Sequence, residues 1–302
     1  MRNTTPHKSS PATAAREGSK RSGRAVSLSS PAMVATGEKS ARAVSATATV
    51  PATPVLTALT FGSSFRPWLG VFETIRVEQG VPLFVNEHWK SIRYSADVLG
   101  LEVMRDFRAA AERLPELSGR WRWIVTPGES VQFFTEDQGR VPTAYSLALA
   151  EQQVCSKNWD ARHKTLSYLT HYQARATVRA DEAVLLNEHG VLATCAMGNL
   201  FWVVNDQLCT PPTDAGCRRG VVRDFVMRHA RVKEVCATPD VLDEASEIFV
   251  TNSWIGVRPV WRWREKTLPL GEKCRALRQA YRNELYNQLQ RVKPLMDGEI
   301  DN

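Results

Sequence analysis

His163-Lys164-Thr165-Leu166-Ser167-Tyr168-Leu169 sets a lysine just ahead of a run whose spacing predicts a helix over 166–179. A lysine at a helix start is ordinarily a solvated side chain. A buried amine near other positive charge has a lowered pKa and can act as nucleophile and base near neutral pH. The surrounding chain bears on that choice. Upstream, Gly70-Val71-Phe72-Glu73-Thr74-Ile75-Arg76 opens a segment, 71–78, that alternates as a strand does. Gly80 marks a turn before a second short strand, 82–85. Asn86 offers an N-cap, and Trp89, Ile92, Ala96 and Leu99 recur at helical spacing until Gly100. Downstream come Gly198-Asn199-Leu200-Phe201-Trp202, then Thr210-Pro211-Pro212, Arg219-Gly220-Val221-Val222-Arg223 and the segment from Thr251 to Val260.

The pattern predicts a further helix over 105–114 and strands over 120–126, 130–135 and 144–150. After a polar join come strands 182–187 and 200–204, a helix 221–231 and a strand 248–251. A last helix carries Cys274, Leu277, Tyr281, Leu285 and Leu289 on one face. The expected fold class is α/β, a small α+β domain over 61–150 joined by a linker, 151–157, to a larger α/β domain over 158–292. Residues 1–60 and 293–302 are expected to be tails.

The first fifty residues differ in kind. Half of them are Ala, Ser or Thr, and the first aromatic residue of the chain is Phe61. Such a segment buries too little apolar surface to offset its ordering entropy. An organelle transit peptide, a tail without an address and an upstream extension of the reading frame all fit this composition. No 7–15-residue apolar stretch follows the charges, which excludes a secretory signal. The tail holds eight basic and two acidic residues, so the formal net charge of +7 belongs mostly to it. Beyond residue 50, 31 basic residues face 30 acidic ones.

That balance weakens a nucleic-acid reading. Arg120-Trp121-Arg122-Trp123 and Trp261-Arg262-Trp263-Arg264 interleave basic and aromatic residues, as a single-strand binder would. Strands with Trp inward and Arg outward explain the same pattern without a ligand. No apolar run reaches the ~18 residues of a membrane helix. The six cysteines include no C-x-x-C pair, which argues against a zinc knuckle or a disulfide scaffold and for a reducing compartment. His88 and His171 show no metal-ligand spacing, so no metal is expected.

In this order and spacing, these segments resemble the class IV aminotransferases, the fold type IV pyridoxal 5'-phosphate (PLP) enzymes of D-amino-acid aminotransferase-like fold. The resemblance covers about 68 to 262. It implies PLP as cofactor, held in a cleft between two domains, a small-molecule amino substrate, a homodimer and a cytoplasmic setting, or an organelle if the tail is an address. It implies that Lys164 bonds covalently to PLP and then shuttles the substrate's α-proton. Gly220, Val221 and Val222 match the turn that holds the phosphate, where free N–H groups and the helix dipole suit an anion. Asn252 and Ser253 match small polar residues that join them. Arg120, Arg122 and Arg258 are candidates by charge for the substrate's carboxylate.

The sequence departs from the family pattern twice. Three residues after His88, which matches the family's helix-start histidine, stands Ser91 where an arginine grips the phosphate. Serine offers one hydrogen bond in place of a charged fork. Of its neighbours, Lys90 could reach the gap and Arg93 could not. Five residues before the matched Asn199 stands Thr194 where a glutamate keeps the pyridine nitrogen protonated. A neutral hydroxyl holds that proton less firmly and weakens the electron sink. Transamination uses the sink twice per cycle, whereas elimination of pyruvate from aminodeoxychorismate yields an aromatic ring. Together with the wording of Cys195–Trp202 and Phe72-Glu73-Thr74, this points to a 4-amino-4-deoxychorismate lyase-like reaction in folate biosynthesis. A branched-chain or D-amino-acid aminotransferase is the alternative, and a non-catalytic family member the second alternative.

Overall fold

The computed structural model describes residues 68–103, 110, 111, 113–136 and 141–296. The expected tail 1–60, most of the helix 105–114 and the chain beyond Met296 lie outside these residues. The described part contains two sheets.

The first sheet has the order β2-β1-β3-β4 and is antiparallel throughout: β1 is Val71–Glu78, β2 Val81–Pro82, β3 Gly119–Thr126 and β4 Glu129–Glu136. Strand alternation explains its faces. Val71, Ile75 and Val77 of β1 and Trp121, Trp123 and Val125 of β3 pack with Ile92 and Ala96 of helix α1, Val85–Val98. Arg120 and Arg122 point the other way, as the alternation of Arg and Trp predicts.

The second sheet has nine strands in the order β10-β9-β8-β11-β12-β5-β6-β7, with β13 paired to β12. In chain order these are β5 Tyr145–Val154, β6 Glu182–Asn187, β7 Leu192–Cys195, β8 Asn199–Val204, β9 Gln207–Thr210, β10 Val232–Glu234, β11 Glu247–Asn252, β12 Gly256–Trp263 and β13 Lys266–Thr267. Five further helices cover it: α2 Trp159–Arg162, α3 Leu169–Thr177, α4 Val221–His229, α5 Val241–Glu244 and α6 Glu272–Met296. Helices α4 and α6 bury Val222, Phe225, Cys274, Leu277 and Tyr281 against Phe201 and Phe249 of β8 and β11. The loop ahead of α1 joins that core: Phe84 stacks on Tyr281 at 5.4 Å, and its N–H donates to Gln288 Oε1 at 2.8 Å. Among the described residues no helix is long and apolar enough to cross a membrane.

Several local expectations change. Asn86 is exposed inside α1 rather than capping it. The cap is Phe84, in the left-handed region at φ 54 without a side-chain cap bond, because its ring is held in the α4–α6 core. The strand expected at 144–150 runs on to Val154, where Gln153 and Val154 pair with Leu186 and Asn187. Residues 151–154 are therefore sheet, not linker, and β5 belongs to the large sheet. The helix expected over 166–179 forms only from Leu169 to Thr177. In Trp261-Arg262-Trp263-Arg264 only Trp263 is buried and Trp261 is exposed. A register shift between Val260 and Arg262 breaks the alternation there.

Candidate active site

Glu73 shares the inward face of β1 with Val71, Ile75 and Val77, so alternation carries a carboxylate into an apolar layer. A buried carboxylate needs partners. His88 Nδ1 donates to Oε2 at 2.9 Å, and Ser91 Oγ donates to Oε1 at 2.7 Å. His88 and Ser91 are three residues apart on α1 and so share one face of it. The Lys164 ammonium lies 3.9 Å from Oε2. Burial would raise the Glu73 pKa, but Lys164, His88 and the two hydrogen bonds outweigh it and hold the carboxyl at about 2.

Lys164 reaches this place because its segment adds itself to the start of β1. Phe72 N–H donates to Lys164 O at 2.8 Å, Leu166 N–H donates to Gly70 O at 2.9 Å, and Thr165 bridges Val71. Nζ also sits 5.0 Å from the centre of the Phe72 ring. Burial brings the Lys164 pKa down to about 8; Glu73 opposes the shift, while the Arg218 and Arg122 guanidiniums add to it. At that value roughly a tenth of the amine is neutral at pH 7, far more than for an ordinary lysine.

A second wall is the turn between β7 and β8. Cys195 N–H donates to Gly198 O at 2.9 Å, Tyr168 OH to Ala196 O at 2.9 Å, and Asn252 Nδ2 to Met197 O at 2.9 Å. Thr194 Oγ1 is within 3.0 Å of Gly198 O and 3.1 Å of Cys195 O, so its proton is directed to the backbone and its oxygen can only accept from elsewhere. Gly198 lies where a Cβ would come within 2.8 Å of Thr251 O.

The third wall is the start of α4. Gly220 is its N-cap and makes no side-chain cap bond; the first helical bond runs from Asp224 N–H to Gly220 O. The N–H groups of Val221 and Val222 precede that bond and remain available to a ligand. A Cβ on Gly220 would run into Asn199 Oδ1, whose own amide holds Arg218 O at 2.9 Å.

Lys164, Thr194, Gly220, Val221, Val222, Asn252 and Ser253 all line one cavity of about 580 Å³, together with Glu73, His88, Ser91 and Arg218. Asn252 is less free than expected. Its Oδ1 accepts from Trp254 and Ile255 N–H at 2.9 and 2.8 Å while Nδ2 holds Met197, so its side chain builds the wall. Arg120, Arg122 and Arg258 do not line the cavity. Arg120 lies over Trp254 at 4.1 Å, and Arg258 is half-buried on β12. Arg122 lies over Phe72 at 5.7 Å, near enough to act on Lys164. Of the cations beside Ser91, Lys90 lines the cavity, whereas Arg93 rests on Trp89.

Glu73, Arg218 and Thr251, all lining the cavity, escaped the sequence reading. Glu73 had a signal: it is an acid at the inward parity of an otherwise apolar strand face. Arg218 had none, because it lies in an irregular loop without periodicity.

The class IV amino-transferase family model matches residues 70–263. The chain is 26% identical to the aminodeoxychorismate lyase of Bacillus subtilis, over 76% of this chain and 90% of that one. It is also 26% identical to a Methanocaldococcus jannaschii protein provisionally named a branched-chain-amino-acid aminotransferase, over 71% and 86%. The solved branched-chain aminotransferase of Thermoproteus uzoniensis superposes with a TM-score of 0.68 at 19% identity, covering 75% of this chain and 88% of that one.

The residues fit the cofactor of that family. PLP brings an aldehyde and a phosphate. The cavity offers an amine of lowered pKa and a helix start with unpaired N–H groups. It also holds a buried hydroxyl, Thr251 Oγ1, without a partner among the described residues. The chain has the fold of the type IV PLP-dependent enzymes and belongs to the class IV aminotransferase family.

Proposed function

We propose that the chain is a 4-amino-4-deoxychorismate lyase, which splits its substrate into 4-aminobenzoate and pyruvate. The observation that carries this reading is Thr194, whose hydroxyl proton is directed to Gly198 O. In the resemblance this position partners the pyridine nitrogen. Thr194 offers that nitrogen lone pairs but no negative charge, so it retains a proton there less firmly than a carboxylate would.

When bound, PLP supplies the electron sink for charge that develops on the substrate. The unpaired N–H groups of Val221 and Val222 and the hydroxyls of Thr251 and Ser253 would hold its phosphate, with Lys90 as the cation beside Ser91. Lys164 takes a proton from the substrate and returns one, at Nζ. Glu73 stays ionised near neutral pH and steadies Nζ whenever it is protonated. His88 and Ser91 keep the Glu73 carboxylate in place. Loss of pyruvate leaves an aromatic ring, and that product stability lessens the demand on a weak sink. The homodimer and cytoplasmic setting implied by the resemblance, and the division into a small and a large domain, belong to the same proposal.

The test is to incubate PLP-loaded protein with aminodeoxychorismate, and separately with pairs of amino acid and 2-oxo acid. The expected result is 4-aminobenzoate and pyruvate in equal amounts, with slow transamination. Rapid transamination without 4-aminobenzoate would replace the lyase with an aminotransferase.

A further inference from the structure

Glu182, the first residue of β6, is buried and takes no part in the proton transfers at Lys164. Its Oε1 accepts from Ala183 N–H at 2.9 Å and from Met197 N–H at 3.3 Å. Met197 N and Ala196 O are the two ends of one peptide unit, which is planar and rigid. On the other side of that peptide, Ala196 O accepts from Tyr168 OH at 2.9 Å, and Tyr168 OH accepts from Arg218 Nη2 at 2.8 Å. One chain of hydrogen bonds therefore runs from a buried carboxyl, through the turn between β7 and β8, to a guanidinium that lines the cavity.

The far end of this chain acts on Lys164. Arg218 helps to lower the Lys164 pKa, because a neighbouring cation disfavours the ammonium form. That effect depends on where the guanidinium points. Arg218 forms no ion pair among the described residues, and its Nη1 is buried without a partner among them. Tyr168 aims it, through the hydroxyl and through the ring, whose centre lies 4.9 Å from Cζ. The ring of Tyr168 is set by Phe72 and His171, and its hydroxyl by Ala196 O. Hydrogen bonds in such a chain polarise one another, so each is strengthened by the next. A neutral or an ionised carboxyl can accept through Oε1, so the chain holds in either form of Glu182.

We propose that Glu182 is a positioning residue for the reacting amine: through the Ala196–Met197 peptide and Tyr168 it holds the Arg218 guanidinium beside Lys164. The proposal rests on Lys164 being the reacting amine, and it holds for elimination and transamination alike.

Competitive labelling of the full-length apoprotein with acetic anhydride tests it. The reagent acylates neutral amines, so the labelling rate of Lys164 across pH follows its protonation. Lys273, paired with Asp206 on the outside of α6, is the internal reference. Arg218→Gln is expected to move the Lys164 midpoint to higher pH and to slow its labelling at pH 7 roughly threefold. Glu182→Met, which has no carboxyl to accept from Met197 N–H, should move the midpoint the same way by a smaller factor. Glu182→Gln keeps an acceptor and should stay near the wild type. Tyr168→Phe, which removes only the hydroxyl in the middle of the chain, should act as Glu182→Met does. In a protein that already carries Arg218→Gln, Glu182→Met should add nothing. A midpoint unmoved in Glu182→Met, or moved equally with and without Arg218, would overturn the proposal. An unmoved midpoint in Tyr168→Phe would overturn it too, even if Glu182→Met does not fold. Labelling needs neither PLP nor substrate. A protein that shows these shifts yet makes no 4-aminobenzoate would sink the lyase reading alone, and a working lyase with an unmoved midpoint would sink this proposal alone.

Discussion

Ser91 Oγ donates its proton to Glu73 Oε1 across 2.7 Å. The residue that replaces the family's phosphate arginine is thereby engaged with the carboxylate beside Lys164. The substitution gives Glu73 a neutral donor in place of a cation, and in the proposed function phosphate binding falls to the start of α4 and its neighbours.

Ser91→Ala is expected to destabilise the protein by about 1–3 kcal/mol, because a buried carboxylate oxygen loses a donor. Affinity for PLP should change little, since the hydroxyl faces Glu73. Chemical denaturation and a PLP titration check the two halves; a large loss of PLP affinity would return Ser91 to the phosphate.

Glu73 opposes the fall in the Lys164 pKa. Glu73→Gln removes that support, so the Lys164 value should drop below about 8. The rate at which apoprotein takes up PLP follows the neutral amine. Its pH midpoint should therefore move to lower pH in Glu73→Gln, and a midpoint shifted upward would show that Glu73 does not act on Lys164 as described.

Glu73 also couples folding to acid. Its folded value, about 2, lies below the ordinary 4.5, so its contribution is fully present above pH 4.5 and is lost as pH falls through 2. The difference amounts to roughly 3 kcal/mol. Stability measured between pH 5 and 2 should fall more steeply in the wild type than in Glu73→Gln.

Glu182 has the opposite sign. Burial pushes its carboxyl up to about 7, against the hydrogen bonds from Ala183 and Met197 N–H to Oε1. Its folded value exceeds 4.5, so the neutral form's contribution is present below pH 4.5 and is lost as pH rises through 7. Glu182→Gln keeps an acceptor for both N–H groups and never ionises. It should be more stable than the wild type at pH 8, by roughly 1–3 kcal/mol, with the gain vanishing toward pH 4.5. Thermal melts at the two pH values measure this.

Gly220→Ala places a Cβ against Asn199 Oδ1. Asn199 must move and release Arg218 O, which disturbs the start of α4. PLP affinity is expected to fall roughly tenfold or more, with a stability loss of about 1–3 kcal/mol. An unchanged PLP titration would mean that α4 tolerates the shift.

Much of the fold was legible because it is local. The alternation of 71–78 became β1 over those residues, and the apolar stripe from Cys274 to Leu289 became one face of α6. Errors arose where tertiary contacts override local preference. Phe84 takes the cap position in place of Asn86 because its ring stacks on Tyr281. Trp261 turns outward because a register shift in β12 interrupts its parity. The site was legible by another route, since Lys164, Thr194 and Gly220-Val221-Val222 were found by family resemblance.

By itself the sequence determined the periodicities, which are properties of residue type and spacing, and the residues that stand at 91, 164 and 194, whose roles only the family resemblance suggested. Only the tertiary structure decided which charges meet. Glu73 faces Lys164, and Arg218 faces Tyr168, because sheet register and a bridge from Thr165 to Val71 bring distant segments together. Electrostatic interactions depend on distance and burial, which spacing along the chain does not encode.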